Sequence, residues 1–362
     1  MVKNENPPSV GNSSGTVGPA ENDAEKNKLV EVPLAPTAPQ SLDQTYFNNL
    51  SGQPGVVPGG AVTAANGMYE RLGVPPPRGV CILHPDQTVC ISGANALIFD
   101  VDETLLVGSG KHAHDGIGGR FHGGVNSARL EAGLPAIDDH TWETQYEILA
   151  GAKESVVIRR MAALAGVEPT RVEFHASRVL EERIHEMLAR VPLATGAREL
   201  LISAGEKGIA RGILSASSEL FVGQALKMHD VLHHFDARVC SAEKKLDHGV
   251  FSGNPIQQIC RELAVDPRDV VMIGDSTADY ATHRLGVMSV AAHTPGGNNP
   301  VSIMIVPNHH QNRGKLDGAM SEVERFHISH NVQGDHGTLL VISSFEQVRI
   351  GPATGNLCWH VS

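Results

Sequence analysis

No block of lysine or arginine occurs anywhere in the chain, and the formal net charge is −11. Nucleic acid and anionic membrane surfaces are held by basic stripes, so neither is expected as a partner. No apolar run is long enough to span a bilayer. The opening MVKNENPPSVGNSSG also lacks the apolar stretch of a secretory signal. The five cysteines (Cys81, Cys90, Cys240, Cys260, Cys358) are odd in number and show no CxxC spacing. They read as reduced thiols rather than a disulfide framework, and the expected compartment is the cytoplasm. The negative balance leaves small anionic substrates open, because these respond to a local site and not to the total charge.

What is present is an ordinary apolar content, 41% of 362 residues, enough for two or three domains. It is unevenly spread. Residues 1–40, rich in Pro, Gly, Asn, Ser and charge, are expected to form a disordered tail. Residues 41–90 read as an N-terminal extension packed on the core. Within it, SLDQTYFNNL suits a short helix, and GVCILHPDQTVCIS suits two short strands around a turn. Strand-like and helix-like segments then alternate. ALIFD (96–100), IARGILS (209–215), ARVCS (237–241) and DVVMIGD (269–275) are short apolar strands. Between and after them run the helical patterns ARELLISAGEKG, ELFVGQALKMHDVL and PIQQICRELAV, the last with Pro at its start. ATHRLGV and MSVAA repeat the pattern, and GTLLVISSFEQV resumes a strand and helix. This alternation predicts an α/β fold, a Rossmann-like parallel sheet with helices on both faces. Residues 107–191 read as a helical insertion over the strand ends, and 297–336 as a second insertion in the core.

Ligands of such sheets sit at the carboxyl ends of strands, and three strands here end in Asp100, Ser215 and Asp275. In DVDETLL a second carboxylate, Asp102, follows Asp100 at i+2. Phosphoryl transfer to a carboxylate needs a nucleophile, an acid for the leaving oxygen and a cation to offset phosphate charge. Asp100 suits the first role and Asp102 the second. In GDSTAD, Asp275 and Asp279 offer hard oxygen ligands for Mg²⁺. In ILSASS, Ser215 precedes small residues whose amides can approach a phosphate, with Ser217 a candidate substrate contact.

DxDxT after one strand, a Ser ending the next core strand and GDSxxD ending a later one resemble the haloacid dehalogenase (HAD) superfamily. The resemblance covers about 91–106, 192–296 and 337–350. It implies an aspartyl-phosphate formed on Asp100, Asp102 as general acid and base, and Ser215 on the transferring phosphoryl group. It also implies Mg²⁺ held by the Asp100 side chain, the Asp102 carbonyl and Asp275, with Asp279 in support. Residues 107–191 look like the cap of the C1-capped subgroup, and 337–362 complete the core. An acid at position 102 points within the superfamily to phosphatases and phosphomutases rather than dehalogenases or phosphonatases. The superfamily's lysine stands about 25 residues before the first Asp of GDSxxD, where this chain has Val250. The candidates are Lys244 and Lys245, with Lys245 favoured.

Other residues carry less. His112, His114 and His122 stand in the Gly-rich stretch 108–124, read as a loop at the site entrance. His309, His310, His327, His330 and His336 match no metal-ligand spacing. In LAGAKES, Lys153 is a candidate substrate contact from the cap, while Arg159 and Arg160 read as ordinary helix residues. The expected activity is an Mg²⁺-dependent phosphatase acting on a small phosphorylated metabolite. A phosphomutase of the same family stays open, as does a binding or regulatory protein on the same fold.

Overall fold

The computed structural model of the chain describes residues 79–109, 117–142, 152–246, 250–291, 300–309, 313–330, 337–353 and 356–362. The tail at 1–40, the helix in SLDQTYFNNL, and His112, His114, His310 and His336 lie outside these residues.

Seven parallel strands form the main sheet. In chain order they are β1 (Val80–Ile82), β3 (Ala96–Phe99), β4 (Ala210–Leu214), β5 (Ala237–Val239), β6 (Val270–Gly274), β7 (Val301–Ile305) and β8 (Thr338–Ile342). Their spatial order is β1-β8-β7-β6-β3-β4-β5. The helices that cover it are α4 (Ala197–Glu206), α5 (Glu219–Met228), α6 (Asn254–Leu263), α7 (Thr277–Ala291) and α8 (Arg313–Ser329). β3 shows how the two faces arise. Its side chains alternate, so Leu97 and Phe99 join a core with α4 and α5, while Ala96 and Ile98 meet Ile256 and Ile259 of α6. A third cluster, with Tyr280 of α7 and Phe326 of α8, covers β1, β7 and β8.

A smaller sheet has the order β10-β2-β9, from β2 (Val89–Ser92), β9 (Val348–Ile350) and β10 (Cys358–Val361). Its Val89, Ile91, Val348 and Ile350 join the core of α4 and α5.

Before α4 the described residues include the helices α1 (Ile117–Glu131), α2 (Glu154–Ala165) and α3 (Pro169–Leu188). They enclose their own cluster, with Phe121, Trp142, Met161 and Val172. α1 and α3 approach closely: a Cβ on Gly124 would lie 2.9 Å from backbone atoms of Val172 and Ala176. α3 carries buried residues at a strict i+4 spacing, Val172, Ala176, Leu180, Ile184 and Leu188. The first two belong to the three-helix cluster and the last three to the sheet's core.

Several expectations need correction. Residues 297–336 are no insertion in the core, because β7 lies between β6 and β8 and α8 packs on the sheet. VSIMI between prolines is a continuous apolar run, the pattern of a strand buried on both faces. MSVAA is no strand: the residues up to Ala291 finish α7, and Met288 packs in its cluster. Short apolar runs do not distinguish the two states by themselves. After β8, SFEQV makes a single 3-10 turn at Phe345–Gln347 and leads into β9. The two strands of GVCILHPDQTVCIS do not pair with each other. β1 is an edge of the main sheet and β2 the centre of the small one. The loop expected at 108–124 is helical from Ile117. No helix among the described residues is long and apolar enough to cross a membrane.

Candidate active site

β3 lies between β6 and β4, and in register Phe99 faces both Ile273 and Ile213. The residues that follow these three strands therefore meet at one sheet end. The Asp100 amide still donates to Ile273 O at 2.9 Å, and the Ser215 amide to Val239 O at 3.0 Å. Both are pinned by the ladder before their side chains leave it. Phe99 anchors the first strand end, edge-on to Phe235 at 5.9 Å and tilted against Phe345 at 6.1 Å.

One ligand atom from each of Asp100, Asp275 and Asp279 lies within 4.8 Å of the others. Into this group reaches the ammonium of Lys244, 2.8 Å from Asp100 Oδ1 and 2.7 Å from Asp279 Oδ1. It is buried, and it stands 3.5 Å from the Leu214 carbonyl. The expected Lys245 is displaced by its neighbour. Lys245 forms a bridge with Phe251 and is half-buried. In extended chain, successive side chains point to opposite sides, so only one of two adjacent lysines can enter the site. Asp279 is fully used, because its other oxygen accepts from Ser276 Oγ at 2.6 Å and from the Ser276 amide at 3.3 Å. Gly274 makes this possible, since a Cβ there would come within 2.4 Å of the Asp279 carboxylate. Asp275, by contrast, is half-exposed at the cluster's edge.

Asp102 is held by two hydroxyls. Ser217 Oγ donates to Asp102 Oδ2 at 2.5 Å and Ser109 Oγ to Asp102 Oδ1 at 3.0 Å. Ser217, expected against a substrate, is thus spent on the acid, and its carbonyl accepts from the Ser241 amide. Ser215 is buried, with its Oγ accepting from the Ser217 amide at 3.1 Å. Lys153 begins α2 as its N-cap, half-buried. Among the described residues no hydrogen bond or ion pair joins its ammonium to the strand-end carboxylates. His122 is part of the three-helix cluster, stacked on Trp142 at 4.9 Å and 3.0 Å from Asn126 Nδ2. His309 and His327 bond elsewhere, to the Leu83 carbonyl and to Tyr280.

The charges do not balance. Burial raises the Asp100 carboxyl well above its usual range; Lys244 opposes this, while Asp279, Asp102 and Asp275 add to it. Burial also raises Asp102, and the hydroxyls of Ser217 and Ser109 offset only part of the rise. Burial alone would lower the Lys244 ammonium, but Asp100 and Asp279 outweigh it and raise its pKa above the ordinary value. Among the described residues four carboxylates thus face a single ammonium, and a proton or a further cation would relieve the excess. Hard oxygens with a surplus of negative charge fit a divalent ion such as Mg²⁺.

Sequence reasoning missed Ser109 and Ser276. Ser276 lies inside GDSTAD and was open to inspection. Ser109 had no signal, because its value comes from the turn that folds it back onto Asp102.

Solved structures with a similar chain course include CbbY from Rhodobacter sphaeroides in complex with phosphate. It is 18% identical over 70% of this chain and 95% of that one, with a TM-score of 0.46. β-Phosphoglucomutase from Clostridium difficile is 15% identical over 66% and 100%, with a TM-score of 0.43. A HAD phosphatase from Thermococcus onnurineus is 15% identical over 70% and 95%, with a TM-score of 0.40. Among curated proteins none matches this chain. The family model for haloacid dehalogenase-like hydrolases matches residues 94–283. That span is more than half of the 362 residues and takes in each of the strand ends just described. The chain therefore belongs to the haloacid dehalogenase-like hydrolase family.

Proposed function

We propose that this hydrolase is an Mg²⁺-dependent phosphatase of a small phosphorylated metabolite, with Asp100 as its nucleophile. The observation that carries the reading is the Lys244 ammonium between Asp100 and Asp279, beside Asp275. Bringing an anionic nucleophile to an anionic phosphate costs Coulomb energy, and a fixed cation at the nucleophile lowers that cost in advance.

The roles follow from position. Asp100 attacks phosphorus and becomes the aspartyl-phosphate. Asp102, with its carboxyl raised by burial, protonates the leaving oxygen and then takes a proton from the attacking water. Ser109 and Ser217 orient it. Ser215 donates to a phosphoryl oxygen. Asp100, Asp275 and the Asp102 carbonyl would hold Mg²⁺, with Asp279 supporting through Lys244. When bound, the ion neutralises phosphate charge and helps to orient the group in line. α1 to α3 form the cap of a C1-type enzyme, which selects the substrate and excludes water from the first step.

The test is phosphate release from a panel of phosphorylated metabolites, with and without Mg²⁺, by the wild type and Asp100→Asn. Release that needs Mg²⁺ and disappears in the folded variant is the expected result. Near-normal release by Asp100→Asn would exclude an aspartyl-phosphate. Isomerised sugar phosphate without free phosphate would make the enzyme a mutase.

A further inference from the structure

Lys244 stands on neither a helix nor a strand of the sheets. It opens a hairpin in which Lys245 bridges Phe251, the Leu246 amide donates to Val250 O at 2.8 Å, and the Ser252 amide donates to Lys244 O at 3.0 Å. A lysine loses much rotamer freedom on being fixed, so something must set where its backbone stands. Upstream, the Ser241 and Ala242 amides donate to the carbonyls of Ser217 and Ser215, each at 2.8 Å. Downstream, the hydroxyl of Thr282 donates to the Lys244 carbonyl at 3.3 Å, and Thr282 is fully buried.

Asp279 and Thr282 are three residues apart on α7, so they share one face of the helix. That face holds Lys244 at both ends, its ammonium through Asp279 and its carbonyl through Thr282. A helical threonine ordinarily turns its hydroxyl back to the carbonyl one turn earlier. Thr282 instead reaches across to another segment. The ring of Phe251 meets Phe326 at 5.9 Å and Phe326 meets Tyr280 at 5.8 Å, which keeps the hairpin against α7 and α8. That contact acts on the hairpin as a whole, whereas Thr282 acts on Lys244 itself.

We infer that Thr282 is a positioning residue that sets the Lys244 ammonium between Asp100 and Asp279. The inference deepens the reading of Lys244 as the cation at the nucleophile and rests on it. Thr282 touches no reacting atom; it works through the backbone of Lys244.

The experiment compares wild type with Thr282→Val, Thr282→Ala and Thr282→Ser. Two readouts are taken on each folded protein with Mg²⁺ present. One is the rate at which acetic anhydride modifies Lys244 and Lys245, resolved by mass spectrometry. The other is steady-state hydrolysis of p-nitrophenyl phosphate. In wild type, Lys244 should react roughly tenfold more slowly than Lys245, being buried and ion-paired where its neighbour is half-exposed. Thr282→Val, nearly isosteric, should expose Lys244 to the reagent several-fold and lower kcat roughly tenfold, the worth of one hydrogen bond. KM and the Lys245 rate should hold, and the melting temperature should fall by no more than the few degrees that one hydrogen bond is worth. Thr282→Ser should restore both readouts. Should Thr282→Val not fold, Thr282→Ala carries the same comparison against Thr282→Ser. Unchanged protection of Lys244 in the variant without a hydroxyl overturns the inference, as does a loss that Ser does not rescue. If wild type hydrolyses no phosphate ester while the Lys244 reaction responds as stated, the positioning role stands and the phosphatase reading falls.

Discussion

Lys244 is the residue on which the charge balance of the site turns, and its neighbour in sequence provides the control. Lys244→Met keeps the apolar stem and removes the ammonium, leaving Asp100 and Asp279 buried without their counter-ion. Breaking a buried pair in this way costs about 3–5 kcal/mol, and the loss of a preorganised charge costs about two to three orders of magnitude in kcat. Urea unfolding and phosphate release should show both in Lys244→Met, while Lys245→Met stays near wild type in each. Equal effects of the two changes would contradict the placement of Lys244. A second residue, His283, should contribute to the response to acid. It is buried, with Nδ1 2.8 Å from Ser302 Oγ. Burial, reinforced by the adjacent Arg284, pushes its pKa down to about 3. The unfolded chain takes up this proton near pH 6.5, and the folded chain refuses it until about pH 3. Its contribution to stability is therefore complete above about pH 6.5 and is lost as the pH falls toward the folded value. Urea midpoints at pH 7.5, 6 and 5 should decline in wild type and decline less in His283→Asn, which carries no proton to titrate. Parallel slopes for the two proteins would remove His283 from this role.

At the scale of elements, α3 ties two cores together. Val172 and Ala176 fill the three-helix cluster, and Leu180, Ile184 and Leu188 fill the core against the sheet. A helix shared in this way cannot melt at one end without weakening the other, so the two cores should unfold as one unit. The two tryptophans report on them separately. Trp142 is buried in the three-helix cluster, and Trp359 packs on the core, with its indole NH 3.2 Å from Thr338 Oγ1. Trp142→Phe and Trp359→Phe each leave a single probe. Once each variant's midpoint is known from circular dichroism, its fluorescence midpoint should coincide with it. A fluorescence transition at lower denaturant in the protein that keeps Trp142 would mean that the helices around Trp142 melt on their own. The i+4 stripe was visible in ASRVLEERIHEMLARV as a helix. Which core each turn would face was not, because that depends on how far α3 overhangs the sheet.

For the molecule as a whole, the excess of carboxylates over Lys244 should make stability depend on divalent cations. A ligand that binds only the folded state stabilises it in proportion to its concentration over Kd, by about 2.7 kcal/mol at a hundredfold excess. Added Mg²⁺ should raise the melting temperature of wild type and raise that of Asp275→Asn much less, since a neutral amide replaces a half-exposed anionic oxygen. An equal rise in the two proteins would place the ion elsewhere. The chain alone was enough for the alternation of strand and helix and for the acids and serine that close three strands. Those features are local: a buried parallel strand reads as a short apolar run, and the residue after it must lie at the sheet end. Tertiary structure decided the rest. It placed Val301–Ile305 inside the sheet, chose Lys244 over Lys245, and turned Ser217 and Ser109 onto Asp102. Each of these depends on contacts between segments far apart in sequence, where a shift of one residue reverses the direction of a side chain. No count along the chain carries that information, because which ammonium faces Asp100 depends on where distant segments hold the backbone of Lys244.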